Sequence, residues 1–532
     1  MLIMKKKLQL ILNILSFFVF FILLLSCNEG ANKKSNITPN NILSKKESFN
    51  DLLLDSNALM IFFKENKISD TVAKEVIIFY EERGFQCAWI NTDGLTQAAI
   101  NFYEQLQSYK DDFKDSQFLN IKLDSLIENI QEDEQQFLTR KKSVENLELL
   151  LTSTFFKYAK KVYGGITKSP NNLHWYIPRN KKNYKALLDT LVSNKANIEE
   201  PVNRYYISLK EKLKEYRVIE KNGEFSNKII CNETLSFSDI DSCISDVKIH
   251  LFATRDLKLN DKTDLFTDSL QIAIQHYQSR FGLKKSGKLD AATIVEMNKP
   301  VAWRIKQIMV NMERLRWVPA EVEKDYILVN IPEFKLHIFE NNKLFWETNV
   351  VVGKTLTQTT IFRGDISQII LNPYWNVPNS IYKKEIQNRL SKKYLIRNNM
   401  EMYNGGVRQK PGINNSLGRV KFLFPNNFNI YLHDTPSKSL FEENKRGFSH
   451  GCVRVQEPFK LAMYLLRYDK TWTSNKIDSI LETNKEYQIN LLPKMPVYLA
   501  YFTSWVNSSG ELNFRNDIYN LDEKLAKEIF GK

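Results

Sequence analysis

The apolar period of this chain changes once, and that change limits what it can fold into. Before Pro319 apolar residues recur at helical spacing. Phe62, Phe63, Val76, Ile77, Ile78 and Tyr80 follow a period near 3.6, as do Leu147, Leu149, Leu150, Phe155, Phe156 and Tyr158. After Pro319 the period is two. Tyr326, Leu328, Asn330, Phe334, Leu336 and Ile338 read as strands, and so do Val350, Val351 and Val352 before Gly353. Further β stretches cover 428–432, 497–502 and 512–514. Each period buries an apolar face in only one kind of element, so the predicted class is α+β. At 532 residues the chain exceeds a single core and is multidomain.

The helical half divides in two. Residues 49–240 form a predicted helical scaffold domain, punctuated by turns at Asp93-Gly94 and Gly164-Gly165. Residues 245–300 form a compact helical module. Its clearest helix carries the stripe Ala273, Tyr277 and Phe281, with Gly282 as its C-cap. Gly287 marks a turn, and Asp290 is placed to cap a second helix. Residues 301–322 read as a linking helix, 323–520 as a mainly-β domain and 521–532 as a tail. The stretch 381–424 is basic, polar and partly helical, and reads as an insertion into the β domain.

The first residues bear on compartment. Lys5, Lys6 and Lys7 precede an apolar run from Leu8 to Leu25, the order of an export signal. The run ends in Leu24-Leu25-Ser26-Cys27, which resembles a bacterial lipobox. That resemblance implies a signal peptide over 1–26, lipidation of Cys27, a tether over 27–48, and a chain anchored to the membrane through its lipid. The alternative is an uncleaved membrane anchor, since the run is nearly long enough to span. Both place the rest outside the cytoplasmic membrane.

The net charge of +14 suits an acidic partner, or equally a well-solvated basic surface. No P-loop, GxGxxG after a strand or HExxH is present, and the six histidines are scattered. No cofactor, metal or nucleic-acid partner is therefore expected. Of five cysteines, Cys231 and Cys243 are near enough for cheap loop closure in an oxidising compartment, although spacing does not fix geometry. Cys87, between Phe85 and Trp89, reads as a buried inert thiol.

Cys452 remains. It lies in Ser449-His450-Gly451-Cys452-Val453-Arg454-Val455, downstream of Tyr431-Leu432-His433-Asp434-Thr435-Pro436 and Arg446. A strand delivers His433 at its end, and a turn delivers Cys452 beside a glycine. A thiol attacks a carbonyl as thiolate, and an imidazole within reach takes its proton and returns it to a leaving amine. The N–H groups of Gly451 and Cys452 are candidate oxyanion donors. Two residues apart in a strand share a face, so His450 competes with His433 as base.

This pattern resembles the signature of the YkuD-type L,D-transpeptidases, H-x-T … [ST]-H-G-C-x-[NR]. Further segments resemble the large YcbB-like members: Asn372-Pro373-Tyr374-Trp375-Asn376-Val377-Pro378, Gln409-Lys410-Pro411-Gly412, Leu417-Gly418, and Phe422-Leu423-Phe424-Pro425-Asn426. So do Tyr501-Phe502-Thr503-Ser504-Trp505 and Asp517-Ile518-Tyr519. The helical module resembles the type 1 peptidoglycan-binding module. The resemblance implies Cys452 as nucleophile, His433 as base and Gly451 at the oxyanion hole. It implies Arg454, Ser449, Thr435, Arg446, Trp375 and Tyr374 as substrate contacts, and 381–424 as a capping subdomain. The implied reaction joins peptidoglycan tetrapeptide stems through a cysteinyl thioester, and the implied inhibitors are carbapenems. Hydrolysis, anchoring of proteins to the wall, and a wall-binding scaffold without activity are the alternatives.

Overall fold

The computed structural model describes residues 50–531 apart from 167–169, 180–181, 194–199, 224 and 226–227. The signal segment, Cys27 and the tether lie outside the described residues. No helix among the described residues is long and apolar enough to cross a membrane.

Residues 50–221 are mostly helical, with the longer helices at Asp70–Glu82, Gln97–Phe113, Lys141–Tyr158 and Arg204–Lys221. Asp93-Gly94 closes a short hairpin between Ile90–Asn91 and Gly94–Leu95. Under it Glu148, fully buried, accepts the Ala88 and Trp89 N–H groups and the Tyr80 hydroxyl. Cys87 is buried nearby; burial pushes its thiol far up, out of the reactive range.

The module holds helices Cys243–Ala253, Asp268–Arg280 and Ala291–Met297. Asp290 caps the last by accepting the Thr293 N–H at 2.8 Å. Bridges Leu235–Leu289 and Ile240–Leu265 draw 235–242 into this unit, so it starts before residue 245. Cys231 and Cys243 are disulfide-bonded, with Cα atoms 5.6 Å apart.

The predicted linking helix is the centre of the molecule. In Val301–Trp317 all residues but Ala302, Trp303 and Lys306 are buried. Its polar groups are partnered on every side. Arg304 binds Glu296 of the module at 2.6 Å, and Arg316 binds Glu313 of its own helix, the Val162 carbonyl and the Tyr206 hydroxyl. Gly165 sits at φ +86°, where a Cβ would lie 2.6 Å from a Glu313 carboxylate oxygen. The absence of a side chain lets the Ile166 N–H donate to Glu313 at 2.6 Å.

Nine strands make the main sheet: β1 Tyr326–Asn330, β2 Lys335–Glu340, β3 Lys343–Gly353, β4 Phe362–Leu371, β5 Val420–Leu423, β6 Leu432–His433, β7 Gly447–Ser449, β8 Val453–Val455 and β9 Tyr487–Ala500. Their order is β7-β3-β8-β6-β5-β4-β9-β1-β2, and β2 also pairs with β3, which closes the sheet into a ring. Pairs β6–β8, β3–β7 and β9–β1 are parallel. Ile327, Val329, Ile366, Ile369, Val497 and Leu499 fill the interior.

Two further boundaries differ from expectation. The insertion predicted at 381–424 instead leaves β4 after Leu371 and returns before β5. Val420–Leu423 is an inner strand of the main sheet, whose Val420 and Phe422 alternate into the core. Its charged neighbours Arg419 and Lys421 masked that alternation. The excursion has its own sheet of Trp375–Asn376, Gly406–Gln409 and Met400–Tyr403. The predicted tail is a helix, Leu521–Phe530, whose Leu521, Leu525 and Ala526 are buried and whose Asp522 pairs with Arg314 of the central helix at 2.6 Å.

One buried histidine predicts a stability effect. His337 on β2 lies between Glu333, at 2.9 Å, and Glu347, at 3.3 Å. Burial opposes its charge, but the two carboxylates win and push its pKa up to about 9. The folded value thus exceeds that of the unfolded chain, about 6.5. The stabilisation is complete below that value and is lost as pH rises through about 9. Denaturation of wild type and His337→Gln at pH 6 and pH 9.5 should show a difference that shrinks at the higher pH. A difference independent of pH would refute the ion-pair origin.

Candidate active site

Register assembles the site. Strands β5, β6 and β8 lie side by side, with Phe422 opposite Leu432 and Leu432 opposite Val453. These three side chains are fully buried in the core. Strand alternation puts the next row, Lys421, His433 and Arg454, on the other face. Tyr431 and Cys452 lie one step further along that face, joined by the Val453 N–H to the Tyr431 carbonyl at 3.1 Å. Five residues distant in sequence thereby share one surface.

His433 is buried, and its Nδ1 donates to the Asp434 carbonyl. That fixes the ring's orientation and leaves Nε2 as the basic nitrogen. Burial first, then the neighbouring Arg454 charge, push its pKa down to about 3, so the imidazole is neutral at physiological pH. Asp434 is held by the Arg419 N–H and by Lys438.

The half-buried Cys452 thiol points to the Asn429 carbonyl at 3.6 Å, and no hydrogen bond joins it to His433. The two groups share a face, and the sulfur must turn to meet the imidazole; such contacts are often loose without substrate. Burial raises the thiol pKa. Hydrogen bonds from Tyr431 and the charges of Lys421 and Arg454 act in the opposite direction.

The remaining candidates take different places. Gly451 has φ +120°, a conformation that favours glycine, and turns the chain between β7 and Cys452. Its N–H is already donated to Ser449 Oγ at 3.0 Å, so it is not a free oxyanion donor. Ser449 is buried and donates to the Cys452 carbonyl at 2.5 Å, stapling the loop instead of facing substrate. Thr435 is buried and accepts the Ser437 N–H. Arg446 spends its donors on Val350, Glu443, Phe334 and Asn349. These three brace the loop. The turn at Gly451 also breaks the strand reading that put His450 on the thiol's face: His450 contacts Glu385 of the excursion at 3.0 Å. Tyr374 and Trp375 belong to the excursion, where the Arg408 guanidinium lies 4.2 Å over the Tyr374 ring.

Arg454 is different. Its Nε is buried with no partner, and no carboxylate among the described residues pairs with it.

The C-terminal segment supplies supports whose role the sequence did not assign. Tyr519 donates to the Gly353 carbonyl and accepts the Thr359 N–H, and Thr359 Oγ1 donates to the Gly451 carbonyl at 2.8 Å. Tyr431, Lys421, Asn429 and the Asp434 carbonyl also gain roles only through register. No local spacing reports any of them.

Residues 324–473 match the YkuD family model, described as the L,D-transpeptidase catalytic domain, and residues 74–213 match a model described as a scaffold domain. A curated protein of Haemophilus influenzae that bears the name of an L,D-transpeptidase is 30% identical over 243 residues, 41% of this chain and 49% of that one. The chain thus spans about half the length of that relative. A solved L,D-transpeptidase of Stackebrandtia nassauensis aligns at 15% identity and TM-score 0.23, over 50% of this chain and 94% of that chain. One from Xylanimonas cellulosilytica aligns at 13% and 0.18, over 51% and 99%. Scores this low add nothing to the case; the family match rests on the sequence models and the curated relative. Residues 324–473 are thus similar to the YkuD-type L,D-transpeptidase catalytic domain, and residues 74–213 before them to a scaffold domain.

Proposed function

We propose that this chain forms 3-3 cross-links between peptidoglycan stem peptides, as a member of the YcbB-like subgroup in the cell envelope, anchored through a lipid on Cys27. The observation that carries this reading is the shared face of Cys452 and His433, with the imidazole oriented by the Asp434 carbonyl. The Cys452 sulfur attacks the carbonyl of the third residue in a donor tetrapeptide, and its proton passes to His433. The C–N bond breaks, D-alanine leaves with that proton on its amine, and a thioester remains. A side-chain amine of a second stem attacks the thioester, His433 removes the amine's extra proton, and sulfur leaves to recover it. The unpaired Arg454 is a fitting contact for a donor carboxylate. The excursion acts as a cap that limits water, and the His450–Glu385 pair joins it to the catalytic loop. The helical module binds the glycan or orients the catalytic domain.

Purified protein incubated with disaccharide-tetrapeptide should yield a 3-3 linked dimer by mass spectrometry. Tripeptide alone would replace this reading with hydrolysis. Cys452→Ala should give no dimer, and carbapenems should add one acyl group to the wild type and none to that variant. A dimer or an adduct surviving in Cys452→Ala would remove Cys452 from the mechanism.

The two histidines should separate clearly. His433→Ala should lose roughly 10²–10⁴-fold in turnover, the usual worth of a general base. His450→Ala should lose at least about tenfold less, because its partner is Glu385 and not the thiol. Equal losses would assign His450 a share in proton transfer.

A further inference from the structure

A half-buried ammonium, paired with no carboxylate among the described residues, stands on the site face of the sheet. Lys421 is directly opposite His433 across the β5–β6 pair, on the site face of the sheet. Its Nζ lies 4.0 Å from the centroid of the Tyr431 ring. No carboxylate among the described residues lies within ion-pair distance of it. Glu486 is the acid that acts on it through space, and the Glu486 carboxylate also accepts the Tyr374 N–H at 2.8 Å. Holding an ammonium partly out of water with no paired carboxylate is unfavourable. Such a cost persists where a negative charge forms during the function.

We propose that Lys421 and Tyr431 act as one unit that holds the negative charge on the Cys452 sulfur. The ammonium rests on the ring, Tyr431 lies next to Cys452 where the Val453 N–H meets the Tyr431 carbonyl, and Tyr431 and Lys421 both draw the thiol's pKa down against its burial. A cation on a phenol ring draws electron density from it and makes its O–H a stronger donor. Cysteine thiolates are held in this way by nearby lysines and arginines.

The charged groups facing the sulfur are few. Lys421 comes from β5, Tyr431 from just before β6, His433 from β6, and Arg454 from β8. Lys421 and Arg454 flank His433 on both sides and oppose its protonation. A persistent thiolate–imidazolium pair is therefore disfavoured in the resting site. The sulfur's charge is balanced by Lys421 through Tyr431, while His433 serves as a transient proton carrier. Loss of the thiol proton breaks S–H; the proton goes to His433 during turnover or to water in the resting protein, and the electron pair stays on sulfur.

This inference rests on Cys452 being the nucleophile, and it is tested without any cross-linking substrate. The rate of Cys452 alkylation by iodoacetamide is followed against pH by peptide mass spectrometry in wild type, Lys421→Met, Lys421→Arg and Tyr431→Phe. Lys421→Met should move the midpoint up by about one unit, slowing alkylation about tenfold below it. Lys421→Arg, which keeps the charge, should stay near wild type, and Tyr431→Phe should shift in the direction of Lys421→Met. A midpoint unmoved in Lys421→Met, or moved equally in Lys421→Arg, overturns the proposal. Should Lys421→Met not fold, Lys421→Gln and Tyr431→Phe carry the same test. Failure to detect a peptide dimer would sink the cross-linking reading and leave this profile intact.

Discussion

The helix Val301–Trp317 is wrapped by protein on nearly all sides, yet it is rich in arginine, glutamate and amide side chains. Each buried polar group must find a partner or lose its hydration without return. The partners come from the module, the scaffold, the segment after β9 and the C-terminal helix. Glu296 belongs to the module, Val162 and Tyr206 to the scaffold, and Asp522 to the C-terminal helix. Asn311 exchanges hydrogen bonds with Thr503 just after β9. Truncating one member of such a pair leaves the other charged and buried, a penalty on the order of 3–5 kcal/mol. This helix therefore fixes how scaffold, module and sheet meet.

That arrangement reaches Cys452. The segment after β9 runs from the central helix to the site. Tyr501 donates to Asp517 at 2.5 Å, its hydroxyl accepts the Tyr519 N–H, and Tyr519 and Thr359 hold the Gly353 and Gly451 carbonyls. The scaffold arrives from the other side. The Tyr176 N–H donates to the Ile361 carbonyl at 2.8 Å, and the Tyr176 ring packs against Phe428, next to the Asn429 carbonyl that receives the thiol. A scaffold without catalytic residues thus borders the loop that orients the sulfur.

The electrostatics of the site are unusual for a thiol and an imidazole in one place. His433 is held neutral by burial and by cations on both flanks, and the Cys452 thiol is held protonated by burial. The site rests uncharged at its reacting atoms, with Arg454 and Lys421 unpaired around it. These two cations lower the cost of a negative charge at the Cys452 sulfur.

Much of this was legible in the sequence. The change of period at Pro319 gave the order of helical and β regions, because burial of an apolar face is a local pattern. The Ser449–Arg454 segment and His433 stood out in the sequence as the candidate site, because a cysteine on a glycine turn and a histidine at a strand end leave local marks. Asp290 and the Asp93-Gly94 turn were equally local. What needed the tertiary structure was nonlocal. Lys421 read as one charge among many in an insertion until β5 joined the sheet and set it opposite His433. Ser449, Thr435 and Arg446 looked like substrate contacts until their hydrogen bonds turned inward. His450 looked like a rival base until the Gly451 turn sent it to Glu385. Sequence determined which groups this protein can use, because side-chain chemistry and local periodicity are properties of neighbouring residues. Only the fold decided which of them meet, because strand register and burial depend on partners that lie tens to hundreds of residues away.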